Sequence, residues 1–218
     1  MRAAIHQPCY MPWLGLIEKA RRCDVFVFMD DAQYTKSYVF NYNEIKTPQG
    51  KMRLRVPIRY RFGDTLRDVR INYGTPWAEW HRKALAMNYA NADHYGDVMP
   101  RIDGVIGRRH GSLAELNEEL TLELFSMFGI KAEIARSSGL GIKTKKEQRV
   151  IDICKAVGAD EYLSGVGARS YQDARHFEDN GIKLEYVEFE PKPYKQMFGG
   201  FVPNLSCVDY LMNCGAES

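Results

Sequence analysis

Two short apolar runs near the start of the chain, each followed by polar side chains, constrain its fold most. Residues 2–7 predict a buried strand that ends in His6-Gln7. Residues 13–22 predict a helix, and residues 24–30 predict a second buried strand that runs into Asp30-Asp31. A strand, a helix and a strand at this spacing form a right-handed βαβ unit. Because ligands of open α/β sheets bind at the carboxyl ends of the strands, this opening predicts half of a small-molecule site.

The last third of the chain continues this alternation. Short apolar runs predict strands over residues 132–136, 161–164 and 183–190. Amphipathic stretches predict helices over residues 145–157, 171–179 and 205–213, the first two ended by Gly158 and Asn180-Gly181. Strands that alternate with helices are typical of parallel sheets with helices on their faces. The sequence therefore predicts an α/β fold with a mainly parallel sheet and flanking helices.

The middle of the chain predicts an insertion. Apolar and polar residues alternate over 51–58 and 66–72, which predicts two strands with one wet face, joined by a turn at 60–65 into an antiparallel hairpin. From residue 77 to 128 the spacing is helical, with breaks at Pro100 and Gly111 and a capping-box helix that opens at Ser112. We predict one domain over residues 1–218, with an inserted hairpin and helical lobe at about residues 35–128.

Composition narrows the class of protein. The net charge of +2 over 218 residues lacks the strongly basic footprint of a dedicated nucleic-acid binder, although a local basic patch stays open. Five cysteines without a CxxC pair disfavour a disulfide framework and a zinc site, and they fit a reducing compartment. No apolar run reaches the length of a signal peptide or the ~20 residues of a membrane span. We therefore expect a cytoplasmic protein without a zinc site, and no metal ligands are assigned.

Three segments at predicted strand ends could carry chemistry. The stretch 164–169, Ser-Gly-Val-Gly-Ala-Arg, can hold phosphate or carboxylate on its backbone N–H groups, or be a plain tight turn. His6 can act as a general base or bind phosphate, or be a buried histidine bonded to backbone. Asp30-Asp31, followed by Gln33-Tyr34, can bind a metal, an amine or a ribose hydroxyl, or cap a turn.

Two further polar segments lie outside these strand ends. Asn41, Asn43 and Lys46 precede the predicted hairpin and can line a lid, or act only as turn residues. Lys145-Lys146 and Arg149 follow a Gly/Ser-rich loop and can hold phosphates, or form a solvated basic face.

These segments together resemble the WbqC-like protein family. The resemblance covers nearly the whole chain and is most specific in the string His6-Gln7-Pro8-Cys9-Tyr10-Met11-Pro12-Trp13. The other matching segments are 24–31, 33–34, 41–47, Trp77 with His81, 137–138, 162–165, Tyr171 with Asp173, and 203–209.

The resemblance implies a transferase. Members lie in gene clusters for O-antigen and other surface glycans or for specialised metabolites, and are expected to transfer an amino acid, typically glycine, onto an amino sugar or related amine. Cys9 stands where the family usually has Asn, so this thiol is not the expected nucleophile. Val39-Phe40, Tyr42 and Glu190 also depart from the family pattern, around the region expected to bind the acceptor. The opening is similar to nucleotidyltransferase-like α/β domains but lacks their second histidine.

Predicted roles follow from this resemblance and from position. The predicted catalytic residues are His6 or Asp30, as the base for the attacking amine, and Lys46. Either Lys46 or Arg169 is predicted to help the backbone of 164–167 to hold the phosphate or carboxylate of the donor. The predicted substrate-binding residues are Gln7, Tyr10, Trp13, Asp31, Gln33, Tyr34, Asn41, Asn43, His81, Ser164, Gly165, Gly167, Arg169, Tyr171 and Asp173, with Lys145, Lys146 and Arg149 as contacts to a charged tRNA. No cofactor is assigned; ATP and a charged tRNA such as glycyl-tRNA are the candidate donors. A nucleotide-dependent ligase and a non-catalytic ligand-binding protein are the alternatives.

Overall fold

A computed structural model describes residues 1–36 and 38–216 of the chain. The chain forms two compact units, each assembled from segments that are far apart in the sequence. The first unit comprises Met1–Gln7, Gly15–Ala32 and Ile130–Glu190. The second comprises Pro8–Leu14, Gln33–Gly129 and Pro191–Ser218, so the segment predicted as an insertion falls within it.

Short strands and helices follow one another along the chain. In chain order they are β1 (Arg2–His6), α1 (Leu14–Arg21), β2 (Val25–Phe28), β3 (Tyr42–Thr47), β4 (Gly50–Arg55), β5 (Ile58–Arg59), β6 (Arg70–Ile71), α2 (Trp77–Tyr89), α3 (Tyr95–Ile106), α4 (Leu113–Met127), β7 (Glu133–Arg136), α5 (Lys146–Ala156), β8 (Glu161–Gly165), α6 (Ala174–Asp179), β9 (Lys183–Val187) and α7 (Cys207–Cys214). Short 3-10 turns, Ser137–Gly139 and Val166–Ala168, follow β7 and β8. None of the described helices has the length and apolar character that a membrane span requires.

The first unit is built on a five-stranded parallel sheet in the order β7-β2-β1-β8-β9. Every residue of β2 is buried, as expected for an inner strand covered on both faces. The apolar core joins strand residues to residues of α5 and α6, namely Ala3, Ile5, Val25, Val27, Ile151, Ile153, Cys154, Ala159, Tyr162, Phe177 and Ile182. The predicted α/β fold with a mainly parallel sheet is confirmed.

The predicted helix ends of this unit are set by local chemistry. Gly158 and Gly181 follow α5 and α6 with φ of +75° and +76°, a left-handed conformation that glycine adopts most readily. Helix α6 begins at Ala174, three residues later than predicted. The reason is the Asp173 carboxylate, which accepts a hydrogen bond of 3.0 Å from the Arg175 N–H and caps the helix there.

The second unit contains an antiparallel hairpin, but its strands differ from the predicted ones. Strands β3 and β4 pair over their full length across the turn Pro48-Gln49. The predicted strand over 51–58 is divided at Pro57, which has no N–H to donate to a ladder. The part beyond Pro57 forms only the two-residue ladder of β5 with β6. The predicted pairing of 51–58 with 66–72 is therefore wrong over most of its length.

The helices of the second unit follow the prediction more closely. The Ser112 hydroxyl caps α4 by accepting a hydrogen bond of 3.1 Å from the Glu115 N–H, as the capping box predicts. Pro100 lies inside α3, so the predicted break there is wrong. Burial of Met99 and Ile102 on the same helix outweighs the single backbone hydrogen bond that proline removes.

Candidate ligand site at the carboxyl edge of the parallel sheet

The polar ends of the parallel strands meet at one edge of the first unit. From β1 the sheet extends through β2 to β7 on one side and through β8 to β9 on the other. Such a reversal of strand order is a topological switch point, where open α/β sheets bind ligands outside the carboxyl ends of the strands. The two strands at the switch point end in His6 and Gly165. The structure therefore brings two of the predicted site segments to neighbouring strand ends.

The strands at the switch point separate before they end. Strand β1 pairs with β2 as far as His6 opposite Phe28. Its pairing with β8 covers a shorter stretch and ends with Ala4 opposite Leu163. A gap therefore opens between β1 and β8 just below the two strand ends, which is the crevice expected at a switch point.

A buried lysine occupies the base of this gap. The His6 carbonyl accepts a hydrogen bond from Met29 on the β2 side, so the Ile5 carbonyl points to the β8 side. There it accepts a hydrogen bond of 2.8 Å from Lys19 Nζ. Sequence analysis missed Lys19, although the signal was present. Its position on the same helix face as Leu16 and Ala20 places a lysine on the apolar stripe of α1.

His6 is a neutral base at this edge. Its Nδ1 lies 2.7 Å from the Gln7 carbonyl oxygen, and because a carbonyl oxygen only accepts, Nδ1 carries the proton. The lone pair is therefore on Nε2. Burial, and then the charge of Lys19, lowers the pKa of His6 from 6.5 to about 3. At neutral pH the ring is unprotonated, with its basic nitrogen at Nε2.

Stability is expected to fall on acidification, because His6 binds a proton less readily in the folded chain than in the unfolded chain. The same sign holds for His81, whose pKa burial lowers to about 4. Both contributions are fully present above the unfolded pKa of 6.5 and are lost as the pH falls towards the folded values. The slope is at most about 1.4 kcal/mol per pH unit for each histidine. Urea unfolding between about pH 7.5 and 5 measures it, and His6→Asn should remove one histidine's share. An unchanged slope in His6→Asn would contradict a neutral His6 with a lowered pKa.

Asp30 and Asp31 bind the turn that follows β7. The buried Asp30 carboxylate accepts hydrogen bonds from the Ser138 N–H at 3.1 Å, the Ser138 hydroxyl at 2.6 Å and the Ser137 hydroxyl at 3.3 Å. The Asp31 carboxylate accepts hydrogen bonds from the Ser137 hydroxyl and the Arg149 guanidinium. These contacts join the ends of β2 and β7 to the start of α5. Arg149, a predicted phosphate contact, is thereby tied to Asp31.

The glycine loop after β8 presents an open backbone. Neither Gly165 nor Gly167 has a positive φ, and a Cβ built on either has no protein atom within 4 Å. Neither packing nor backbone conformation therefore requires glycine here, which weakens the interpretation as a plain tight turn. Gly96 and Gly139 share both features, so the open space leaves room for a ligand beside the backbone but does not by itself assign one. Ser164, just before them, is buried, and its hydroxyl donates to the Gln172 amide oxygen at 2.8 Å.

The other predicted residues of the first unit lie around this loop and around the start of α5. The Arg169 guanidinium donates to Glu188 at 2.8 Å and lies 4.8 Å from the Tyr186 ring centroid. Tyr171 is exposed, and Asp173 caps α6. Lys145 and Lys146 are exposed at the start of α5, and Lys146 has a φ of +54°, which is rare for a side chain of this kind.

The remaining predicted residues belong to the second unit, namely Tyr10, Trp13, Gln33, Tyr34, Asn41, Asn43, Lys46 and His81. Trp13 and Gln33 form isolated backbone bridges with Ser206 and Thr65. The side-chain amides of Asn41 and Asn43 donate to the carbonyls of Val56 and Met11, at 2.8 and 2.7 Å. Asn43 and Lys46 lie within β3, so their assignment to a loop before a hairpin is wrong.

Tyr10 and His81 form a buried pair within the second unit. The Tyr10 hydroxyl lies 2.8 Å from His81 Nδ1. Trp77 packs edge-on against both rings, with centroids 6.4 and 5.3 Å away.

Lys46 is buried and holds a backbone turn. Its Nζ donates to the Gly199 carbonyl at 2.6 Å and also to the Gly200 carbonyl. Phe198 and both glycines have positive φ, so the lysine is tied to a turn of unusual backbone conformation.

A second buried network lies next to Lys46 along β3. The Lys46 N–H donates to the Tyr89 hydroxyl at 2.9 Å, and this hydroxyl donates to the buried Asp209 carboxylate at 2.6 Å. Asp209 also accepts hydrogen bonds from the Tyr194 hydroxyl at 2.7 Å and the Gln196 amide at 2.8 Å. Burial, with the charge of Asp209, raises the pKa of both tyrosines.

The groups at the carboxyl edge suit an anionic or carbonyl-bearing ligand. The edge offers a neutral imidazole, an open glycine backbone and a buried ammonium near the gap. Across residues 1–36 and 38–216, no group of three or more His, Cys, Asp or Glu side chains could hold a metal ion.

Comparisons with known proteins agree with the resemblance found in the sequence. A model of the WbqC-like protein family matches residues 7–218. An uncharacterized protein of Mycobacterium tuberculosis, Rv1507c, is 36% identical over 221 residues, which cover 100% of this chain and 95% of that protein. No solved structure matches the chain significantly.

Proposed function

Since the chain belongs to the WbqC-like protein family, we propose that it is a transferase that attaches an acyl group, of an aminoacyl type such as glycyl, to an amine on a small molecule. The observation that carries this proposal is the neutral His6 at the switch point, with its basic nitrogen at Nε2. An amino sugar of a surface glycan, or an amine of a specialised metabolite, is the proposed acceptor, and the proposed location is the cytoplasm.

The reaction needs a base and a site for the developing negative charge. As the amine attacks the activated carbonyl, a nitrogen–carbon bond forms and the amine proton passes to His6 Nε2. The open backbone of residues 165–167 faces the carbonyl oxygen or the anionic part of the donor. When the tetrahedral intermediate collapses, the bond to the leaving oxygen or sulfur breaks, and His6 returns the proton to it. No covalent enzyme intermediate is required.

The contacts favour His6 over Asp30 as the base. The Asp30 carboxylate already accepts hydrogen bonds from both serines of the turn after β7, so it is an anchor for that turn. The only nitrogen of His6 that can accept a proton is Nε2, because Nδ1 is committed to the Gln7 carbonyl. The ring is unprotonated at neutral pH, as a base must be, but a pKa of about 3 makes Nε2 a weak base, so the proposed transfer requires the bound ligand to raise this pKa towards the working pH.

A nucleotide-dependent ligase is the second candidate function, favoured by the sheet order. The arrangement β7-β2-β1-β8-β9 is a doubly wound sheet, and such sheets often bind nucleotides at the switch point. The ligase would use the same edge, with the glycine loop on the phosphates. It requires ATP and releases pyrophosphate or ADP, whereas a transferase uses only a pre-activated donor.

Calorimetric thermal shifts against a ligand panel separate these functions. The panel contains ATP, an acyl-CoA, glycyl-tRNA, free glycine and several nucleotide-linked amino sugars. Calorimetry is needed because all 3 tryptophans lie in the second unit and report on that unit alone. A ligand at about 100 times its Kd stabilises by about 2.7 kcal/mol. A shift with an activated donor but not with ATP, followed by amide formation, supports the transferase. A shift with ATP and pyrophosphate release supports the ligase, and binding without turnover supports neither.

Alanine at Gly165 or Gly167 is expected to weaken ligand binding without destabilising the fold. The added methyl meets no protein atom, and loss of glycine stiffens the unfolded chain, which stabilises by up to about 1 kcal/mol. The shift produced by the ligand identified above should shrink in both variants. Gly96→Ala is the matched control, because a Cβ there also meets open space. A full shift in both loop variants would remove the glycine loop from the proposed site.

A further inference from the structure

The segment from residue 51 to 70 concentrates the positive charge of the chain. It contains seven basic residues and two acidic ones, a net charge of +5, whereas the whole chain carries +2. All seven basic side chains are exposed in the second unit, and we call them the basic surface: Lys51, Arg53, Arg55, Arg59, Arg61, Arg67 and Arg70.

Strand geometry aligns the first three of these side chains. Lys51, Arg53 and Arg55 alternate along β4 with Met52, which is exposed, and Leu54, which is buried, so the three cations share one face. Glu44 on the neighbouring strand pairs with Arg53 at 3.1 Å and with Lys51 at 3.7 Å. Among the described residues Arg55 has no acidic partner, and its guanidinium lies beside the Tyr42 ring.

Two further cations face each other across a short ladder, and one of them also has a structural contact, because the Arg70 guanidinium donates to the Gly111 carbonyl at 2.5 Å. Arg59 on β5 lies directly opposite Arg70 on β6. Like charges in this position destabilise an antiparallel ladder, and this ladder has only two residue pairs to hold it. Among the described residues, neither the Arg59 nor the Arg61 guanidinium forms an ion pair, although the Arg61 backbone N–H donates to the Asp64 carboxylate at 2.6 Å. Asp68 lowers the local charge near Arg70, but its carboxylate is held by Thr65. The repulsion between Arg59 and Arg70 lowers the stability of this ladder, and such a local loss of stability indicates that the positive charge has a function.

Aromatic rings are interleaved with the basic surface. The guanidinium groups of Arg53 and Arg55 lie 4.2 and 4.6 Å from the Tyr42 ring centroid. Tyr60 lies between Arg59 and Arg61, and Lys36 Nζ is 5.6 Å from its ring centroid. Phe62, next to Arg61, is 100% exposed. An apolar ring in this position has no packing role in the unit.

Cations beside exposed rings are the features that bind single-stranded nucleic acid. Such sites hold the phosphates electrostatically and stack the bases on aromatic or guanidinium planes. We propose that the basic surface, with Tyr42, Tyr60 and Phe62, binds single-stranded RNA or DNA. This goes beyond the transfer reaction and does not rest on it, because the surface belongs to the second unit and the proposed catalytic edge to the first.

An acidic protein is the competing partner, since it would also be attracted to seven cations. The exposed Phe62 favours nucleic acid, because stacking of a base on a ring explains its full exposure, whereas charge attraction alone does not. The two partners also differ in salt dependence, because release of condensed counterions from a nucleic acid gives a linear dependence of log Kd on log salt.

Fluorescence anisotropy with a labelled single-stranded RNA 12-mer tests the proposal on the full-length chain. Phe62→Ala should weaken binding at least about fivefold because a base can no longer stack on the ring. The double change Arg59→Gln with Arg61→Gln should lower the salt slope by up to about 1.4, or about 0.7 for each phosphate that is no longer neutralised. Lys83→Gln is the matched control, because it removes one exposed cation from α2 in the same unit. It should leave Kd almost unchanged.

Three outcomes would overturn the proposal. One is the absence of salt-dependent binding to the 12-mer by the wild-type chain. The second is that Lys83→Gln weakens binding as much as the double change Arg59→Gln with Arg61→Gln does, which would indicate attraction to the overall charge of the chain. The third is full competition by polyglutamate together with an unchanged Kd in Phe62→Ala, which would favour an acidic protein. Circular dichroism melting confirms that each variant is folded, and Arg59→Gln should not lower Tm because it removes a repulsion.

Discussion

Replacing His6 by asparagine is expected to lower turnover about 10²- to 10⁴-fold while the chain stays folded. The asparagine amide can still donate to the Gln7 carbonyl, as Nδ1 of the imidazole does at 2.7 Å, but it has no basic nitrogen at the position of Nε2. The measurement is the rate of amide formation with the donor and acceptor that the ligand panel identifies. The loss should fall on kcat and leave KM within a few-fold, because the base acts in the transition state.

A second variant separates a chemical role from a structural one. His6→Gln places an amide near the position of Nε2, where it can form hydrogen bonds but cannot take up a proton at neutral pH. If Nε2 is the base, both variants are inactive. If His6 only supports the strand end, one of the two amides should restore most of the activity. Turnover above half the wild-type value in either variant would remove His6 as the base.

Replacing Asp209 by leucine is expected to destabilise the second unit by about 2–4 kcal/mol. The change leaves the buried Tyr89 hydroxyl and the partly buried Tyr194 hydroxyl and Gln196 amide without their common acceptor. Each unsatisfied buried donor carries a desolvation penalty of about 1–3 kcal/mol, and relaxation keeps the total below the sum. Asp209→Asn should be milder, since one acceptor oxygen remains.

Tryptophan fluorescence during urea unfolding is the direct measurement for Asp209, because all 3 tryptophans lie in the second unit. The midpoint should fall steeply in Asp209→Leu. Asp93→Asn is the matched control, because it also removes a carboxylate, in this case one that forms an exposed ion pair with Lys195. Its midpoint should not change. A wild-type midpoint in Asp209→Leu would mean that the network contributes nothing to the stability of the unit.

Short sequence patterns were sufficient to predict the positions of most helices and strands in the first unit. The apolar runs of β1 and β2 and the glycines after α5 and α6 act within a few residues, so their positions could be predicted from the sequence. The hairpin of the second unit could not be predicted in the same way. Its first strand, β3, is rich in polar residues and has no apolar alternation, and its pairing with β4 depends on the turn at Pro48-Gln49.

The residues of the candidate site also differ in how far the sequence predicts them. His6, Gly165 and Gly167 were predicted because polar residues and glycines at the ends of apolar runs can be recognised directly in the sequence. The buried Lys19 was not predicted, because its role depends on where β8 parts from β1. The hydrogen bonds that the Asp30 carboxylate accepts could not be predicted either, since its partners Ser137 and Ser138 lie 107 and 108 residues away along the chain.

The sequence by itself determined the family, the α/β class, the ends of most helices and strands of the first unit, and the polar residues at the ends of the strands. These depend on periodicity, capping and backbone conformation, which act over a few residues. Only the tertiary structure decided that β8 lies beside β1, that their pairing ends at Ala4, and that the His6 ring is held neutral next to Lys19. The physical reason is that parallel strands pair with neighbours far along the chain, and that desolvation and charge act through space.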